Sequence, residues 1–263
     1  MTARFRDRRI VVTGAGSGMG RAEALGLARE GAEVLVADID LDAARAVTEE
    51  ITAAGGGTGR AHHLDVADPA AWESLSAALD GKALHGLVNN AGVSFRKGIA
   101  ETSVADWHRV MDINLSSVFY GMKFLVGPLA QAGGAAVVNV SSIAGMVGYF
   151  SASYGASKWG VRGLSKVASL EFAAAGIRVN SVHPGLVDTP LLNSGDGRFV
   201  DESLRSVPAG RVASPEEVAR TVAFLLSDEA AYINGTEIVV DGGLVSGGIY
   251  HRITTALAQD NPS

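Results

Sequence analysis

Val11-Val12-Thr13-Gly14-Ala15-Gly16-Ser17-Gly18-Met19-Gly20 joins a short β-branched run to a helical pattern, and its reading decides the fold. Its glycines follow a G-x-x-x-G-x-G spacing through Gly14, Gly18 and Gly20, not G-x-G-x-x-G, because position 19 is Met. A turn of this kind between strand and helix reverses the chain tightly and brings backbone N–H groups toward a pyrophosphate. Glycine-rich turns also serve as bare connections, so Asp38 carries weight. It ends the next strand candidate, 20 residues after Gly18. A carboxylate there can accept from both ribose hydroxyls of NAD and repels a 2′-phosphate. No Arg stands in the glycine turn or directly after Asp38 to receive that phosphate. The pattern selects NAD over NADP.

Outward from this turn, short β-branched runs alternate with amphipathic segments. The strand candidates are Arg9 to Thr13, Glu33 to Ala37, Arg60 to Leu64, Gly86 to Asn89, Ala135 to Val140, Ile177 to Val182 and Glu237 to Val240. Helical patterns occupy 18–30, 41–54, 69–80, 103–131, 154–175 and 215–227. Such alternation predicts an α/β fold, a parallel seven-stranded sheet with helices on both faces. Gly55-Gly56-Gly57 reads as a helix-end loop, and the chain as a single domain over 1–263. The stretch 183–214 is irregular, and its part from about 187 to 212 reads as a substrate loop. Further candidates stand at strand ends: Asp65-Val66, which could meet adenine, and Asn89-Asn90-Ala91-Gly92. Open parallel sheets bind ligands beyond the carboxyl ends of their strands.

Composition sets bounds. Of 263 residues, 47% are hydrophobic and 19% charged, enough for a core and too polar for a membrane protein. The absence of cysteine excludes disulfides and a thiol nucleophile. A formal net charge of −6 speaks against nucleic-acid binding. The basic N-terminus lacks the apolar segment of a signal peptide, so a cytoplasmic location is expected. The six histidines offer no metal spacing, and no metal is expected; His62 and His63 are adjacent on a strand and face opposite ways.

Tyr154 and Lys158 stand four residues apart on a helical pattern, so phenol and ammonium share one face. A phenol titrates near ~10, and a nearby cation draws that value toward neutrality. The pair reads as a general acid/base unit. Asn114 sits inside the 103–131 helical pattern, where an Asn can also bond its own backbone.

Taken in order, the residues resemble the short-chain dehydrogenase/reductase family over essentially the whole chain. The carriers are Thr13-Gly14-x-x-x-Gly18-x-Gly20, Asp65, Asn89 to Gly92, Asn114, Ser141-Ser142, Tyr154-x-x-x-Lys158, Pro184-Gly185 and Asp241-Gly242-Gly243. Around Tyr154 and from Arg178 to Gly185 the chain is similar to bacterial NAD-dependent hydroxysteroid dehydrogenases. The resemblance implies a doubly wound, Rossmann-type fold, a homotetramer, and a catalytic set of Asn114, Ser142, Tyr154 and Lys158. Ser142 stands 12 residues before Tyr154 where the family commonly has 13, the spacing of Ser141; aligning on the Asn139-Val140-Ser141-Ser142 strand end selects Ser142. The implied roles are a proton-transferring Tyr154, a Ser142 that steadies the substrate oxygen, and a Lys158 that lowers the phenol and holds the nicotinamide ribose. Asn114 would kink its helix and hold a water leading to Lys158. Cofactor contacts fall at Gly14, Ser17, Gly18, Met19, Gly20, Asp38, Asp65, Val66, Asn90, Ala91, Gly92, Tyr154, Lys158, Pro184, Gly185, Val187 and Thr189.

Substrate-facing candidates are Ser142, Tyr149, Tyr154 and Leu191. Around the two polar catalytic groups the wall is read as apolar, with Val93, Phe95, Met146, Phe150, Leu192, Phe199 and Leu204 joining Tyr149 and Leu191. With no basic cluster in view, they suit a hydrophobic secondary alcohol or ketone of steroid, cyclic or aryl type. Gly160 and Gly163 form a stripe opposite Tyr154 on the same helix and predict close approach of a neighbouring subunit. Two other readings compete: an epimerase-, dehydratase- or enoyl-reductase-like activity on this fold, and an NAD-binding regulator or scaffold without turnover.

Overall fold

The computed structural model describes residues 3–79 and 81–260. Seven parallel strands form one sheet: β1 (Arg9–Thr13), β2 (Glu33–Asp38), β3 (Thr58–His63), β4 (Gly86–Asn89), β5 (Ala135–Val140), β6 (Ile177–Pro184) and β7 (Glu237–Val240). Their order is β3-β2-β1-β4-β5-β6-β7, so the winding reverses between β1 and β4. Neighbouring crossovers diverge there, and a crevice opens beyond the strand ends.

The five inner strands β1, β2, β4, β5 and β6 are buried on both faces, which is why they read as nearly continuous apolar runs. The edge strand β3 is polar and only partly covered. Ile10 and Val12 join one core cluster and Val11 the other, as alternation along a strand requires. The first cluster lies under α1 (Gly18–Arg29), α2 (Leu41–Ala54) and, further along the chain, the helix Pro215–Leu226. The second lies under α3 (Pro69–Ala78), with α4 (Val104–Met111) leading into α5 (Ser117–Gln131) and α6 (Ala152–Glu171). Three short helices complete the chain: α7 (Pro190–Asn193), α8 (Gly197–Leu204), then α9 (Pro215–Leu226), before α10 (Leu244–Asp260). Among the described residues no helix is long and apolar enough to cross a membrane.

Helix starts follow their caps. Asp40 caps α2, Asp68 caps α3 ahead of Pro69, and Ser214 with Glu217 forms a capping box on α9.

Four expectations are corrected by the structure. Strand β3 begins at Thr58, not Arg60, because Thr58 N–H already pairs with Ala32 O (3.0 Å), and it ends before Leu64. Strand β6 runs on to Pro184 beside β7. The 103–131 helix is interrupted by one π-turn at Asp112–Ser116 that contains Asn114. The irregular 183–214 stretch carries α7 and α8, whose starts Thr189-Pro190 and Asp196 are ordinary N-terminal signals. Beyond the last strand candidate, α10 forms where no element was expected.

Candidate active site

The glycine turn is fixed by its own geometry. Gly14 and Gly18 have φ of 61° and 53°, in the left-handed region. A Cβ on Gly20 would overlap the Gly14 carbonyl, and one on Gly14 would stand 2.9 Å from Ala91 Cα. Thr13 ties the turn to β4: its Oγ1 accepts from Asn90 N–H (3.0 Å) and Ala91 N–H (3.1 Å). Asn90 Nδ2 donates back to Thr13 O (3.0 Å), and its buried Oδ1 has no partner among the described residues. At the end of β2, Asp38 accepts from Gly16 N–H (2.8 Å) and Asp40 N–H (3.0 Å). Asp65 accepts from Ala67 N–H (2.9 Å), and Val66 is buried behind it.

On α6, Tyr154 and Lys158 stack one turn apart, with the ammonium 5.8 Å from the centre of the phenol ring. The start of α6 is held by Ser151, which donates to Phe95 O, and by Ala152 N–H on Lys97 O (3.0 Å). The two adjacent serines separate cleanly. Ser141 Oγ donates to Lys158 O (2.9 Å), so that hydroxyl is spent on the helix backbone. Ser142 Oγ accepts from Ala144 N–H (3.1 Å) and keeps its proton for the cavity. His183, fully buried, bonds Ser142 O through Nδ1 (3.2 Å) and Ser181 Oγ through Nε2 (2.9 Å). Burial holds its imidazole below the ordinary value, so this histidine props the serine as a neutral ring.

Asn114 grips Val93 from both sides: Oδ1 accepts Val93 N–H (2.8 Å) and Nδ2 donates to Val93 O (2.9 Å). It bonds a distant loop, not its own helix. A Cβ on Gly92 would meet both Asn114 Oδ1 (3.3 Å) and Lys158 Nζ (3.5 Å), which puts the two side chains on one small patch.

The electrostatics depart from the sequence reading in one respect. Enclosure of the phenol raises Tyr154 above its usual value, and the groups that pull it down are the Ser142 hydroxyl and the charge of Arg96. Lys158, expected to do this, is turned toward Val140 O (3.0 Å). Burial draws its own ammonium down to about 8.

Above Tyr154 lies a cavity of about 740 Å³. Tyr154, Ser142, Tyr149 and Leu191 line it, as do Met19, Pro184, Gly185, Val187 and Thr189 from the expected cofactor set. Thr189 Oγ1 also caps α7, accepting from Leu192 N–H (3.3 Å). Phe150, Leu192 and Phe199 belong to the wall; Val93, Phe95, Met146 and Leu204 do not. Gly14, Ser17, Gly18, Gly20, Asp38, Asp65, Val66 and Asn90 to Gly92 are not part of that wall; they stand at or just beyond the carboxyl ends of β1 to β4. Lys158 and Asn114 stand behind Tyr154. Sequence reasoning missed Ser94, Arg96 and the first turns of α10, Leu244 to Tyr250, all of which line the cavity. The apolar run after Asp241-Gly242-Gly243 was the available signal for α10.

Comparison with known proteins agrees with this geometry. A family profile described as enoyl-(acyl carrier protein) reductase matches residues 14–245. The chain is 44% identical over 253 residues to the cyclohexanol dehydrogenase of Acinetobacter sp. (strain SE19), covering 94% of this chain and 98% of that one. It is 40% identical over 250 residues to the 3-alpha-(or 20-beta)-hydroxysteroid dehydrogenase of Mycobacterium tuberculosis (strain ATCC 25618 / H37Rv), covering 94% and 93%. Among solved structures, levodione reductase aligns with a TM-score of 0.87 at 32% identity over 91% of this chain and 98% of that chain. The chain belongs to the short-chain dehydrogenase/reductase family. It is an oxidoreductase of the alcohol–ketone type, in a family that uses a nicotinamide cofactor.

The crevice suits such a dinucleotide. Helix α1 starts without a side-chain cap from Ser17 and without an acidic residue in its first turn, leaving its N–H groups and positive end for an anion. The glycines keep that approach clear of side chains, and Asp38 offers carboxylate oxygen beside it.

Proposed function

We propose that the protein is an NAD(H)-dependent dehydrogenase/ketoreductase that interconverts a hydrophobic cyclic secondary alcohol and its ketone. The observation that carries this reading is the continuity of the site: Met19 of the glycine turn, Tyr154 and Ser142 line one cavity whose remaining wall is mostly apolar. Asp38 supports NAD over NADP, because a 2′-phosphate on the ribose it faces would meet a carboxylate. Gly14, Ser17 to Gly20, Asp65, Val66 and Asn90 to Gly92 hold the adenosine and pyrophosphate end. Pro184, Gly185, Val187 and Thr189 border the nicotinamide end. When bound, the nicotinamide supplies the hydride acceptor or donor for the carbinol carbon.

Tyr154 moves the proton at the substrate oxygen. Because enclosure keeps the phenol above its ordinary value, it rests as a proton donor, suited to ketone reduction at neutral pH. Alcohol oxidation needs the phenolate and therefore speeds up as pH rises. Ser142 donates to the substrate oxygen as charge develops there. Lys158 holds the ribose and feeds protons toward Tyr154, and Asn114 positions the Val93 loop and a water beside it. Exposed Trp107, Phe119, Trp159, Val167 and Leu170 on α4, α5 and α6 support assembly into a homotetramer. Gly160 packs on Leu115 of its own chain, whereas Gly163 has open space before it.

Absorbance at the NADH band, with cyclohexanol or cyclohexanone as substrate, tests the reading. It requires turnover with NAD(H) at least about tenfold above NADP(H), a difference of ~1.4 kcal/mol. Dinucleotide binding with no turnover of any ketone would favour the regulator instead.

A further inference from the structure

Arg96 lines the cavity from the loop after β4 and is the one charged side chain among the described residues that do so. Its guanidinium holds down α7: Nη2 donates to Leu191 O (2.9 Å) and Leu192 O (3.5 Å), and Nη1 to Ser194 Oγ (3.4 Å). Gly195 lets the fork lie against the backbone, since a Cβ there would stand 2.8 Å from the guanidinium carbon. These partners are all neutral. Elsewhere Arg9, Arg162 and Arg211 each hold a glutamate, but among the described residues no carboxylate pairs with Arg96. Of its five N–H groups, two, including Nε–H, have no protein acceptor among the described residues. A half-buried cation beside an apolar wall and without a counter-ion gains most from an anionic guest.

Tyr149 supplies a second donor. Burial raises its phenol, so its hydroxyl stays protonated, and it lies within reach of the Arg96 charge. Its ring packs against that of Tyr154, the centres 5.8 Å apart, so this donor stands next to the proposed acid/base residue. The tilted pair Tyr149–Phe150 and the Phe150–Phe199 contact provide an apolar face alongside.

We propose that Arg96, with Tyr149, forms a carboxylate subsite, so that the preferred substrate is a cyclic secondary alcohol or ketone carrying an anionic carboxylate. This rests on the dehydrogenase reading and adds the charge of the substrate to it. A single cation matches a monoanionic carboxylate; a phosphate dianion would leave the subsite with uncompensated charge.

The test compares NAD-linked oxidation of cyclohexanol with that of 3- and 4-hydroxycyclohexanecarboxylate. The wild-type protein should favour a carboxylate substrate at least about tenfold in kcat/KM. In Arg96→Gln that ratio should fall at least about tenfold, and Arg96→Lys should keep part of it; taking the ratio cancels any common loss from loosening α7. In the wild-type protein, cyclohexanecarboxylate should inhibit cyclohexanol oxidation at least about tenfold more strongly than cyclohexanecarboxamide, a readout that needs no variant. Turnover of cyclohexanol with no carboxylate preference, an unchanged ratio in Arg96→Gln, or equal inhibition by acid and amide would overturn the subsite alone. Turnover of neither alcohol would overturn the dehydrogenase reading and the subsite with it.

Discussion

The two ends of the cleft are built from different material. At the β1–β2 end the geometry is written in backbone: two left-handed glycines, an uncapped helix start, and Thr13, Asn90 and Asp38 bonded to main-chain groups. At the β5–β6 end it is written in side chains, with Tyr149, Phe150 and Phe199 beside short helices α7 and α8 and the first turns of α10. A backbone site tolerates almost no added atom and accepts one kind of ligand. A side-chain wall can change residue by residue while the fold persists, and there specificity resides. A buried polar chain ties the middle of the sheet to the helix that carries Tyr154: Asn89 Nδ2 donates to Asn139 Oδ1 (2.8 Å), whose own Nδ2 donates to Ser165 Oγ on α6 (2.9 Å).

Substitutions that separate the two ends sharpen this contrast. Among changes that act through binding, the largest effect belongs to Gly20→Ala, whose Cβ overlaps the Gly14 carbonyl. Dinucleotide affinity, followed by fluorescence titration, should drop about hundredfold, as ångström-scale misplacement does. Gly26→Ala on the same helix meets nothing within 4 Å and should bind normally; similar losses in both would break the comparison. Next comes Asp38→Asn, expected to narrow the NAD/NADP preference about tenfold in kcat/KM, since one charge repelling the 2′-phosphate is gone. Phe199→Ala removes one wall of the cavity and should raise KM for a cyclic ketone several-fold with dinucleotide affinity retained. A matching loss of NADH binding would show that the ends are not separable.

The smallest effect on function, and the plainest on stability, concerns Glu23 on α1. Both its carboxylate oxygens are buried without a partner among the described residues, and burial pushes the group up to about 8. The sign is fixed by this upward shift: folding favours the protonated acid, so its contribution is full below the ordinary value of 4.5 and is lost as pH rises toward 8. Each pH unit within that window costs about 1.4 kcal/mol at most. Glu23→Leu should therefore melt higher than the wild-type protein at pH 8 and show a smaller advantage at pH 5. A constant difference by thermal unfolding would refute the assignment.

Backbone-built features were legible in the sequence because glycine spacing and strand-end residues encode them directly. Gly14, Gly18, Gly20 and Asp38 all stand where their spacing placed them, and a strand formed at each of the seven candidate runs, with the ends of β3 shifted. Side-chain features were less legible. Arg96 lies far in sequence from Leu191 and Tyr154, and nothing local to it signals that they share a cavity. Helix α10 hid behind Gly242-Gly243 and Gly247-Gly248, which lower helix propensity around its first turns. The hydrogen bond that distinguishes the two serines, Ser141 to Lys158 O, is one that no spacing could show.

The central claim is that dinucleotide binding and proton transfer reside at separable ends of one cleft. Tyr154→Phe tests it most directly, with NADH affinity and ketone reduction measured on the same preparation. The account predicts wild-type affinity for NADH together with a fall in kcat of at least about 10³-fold, within the range of general acid catalysis. Reduction within tenfold of wild type would contradict it.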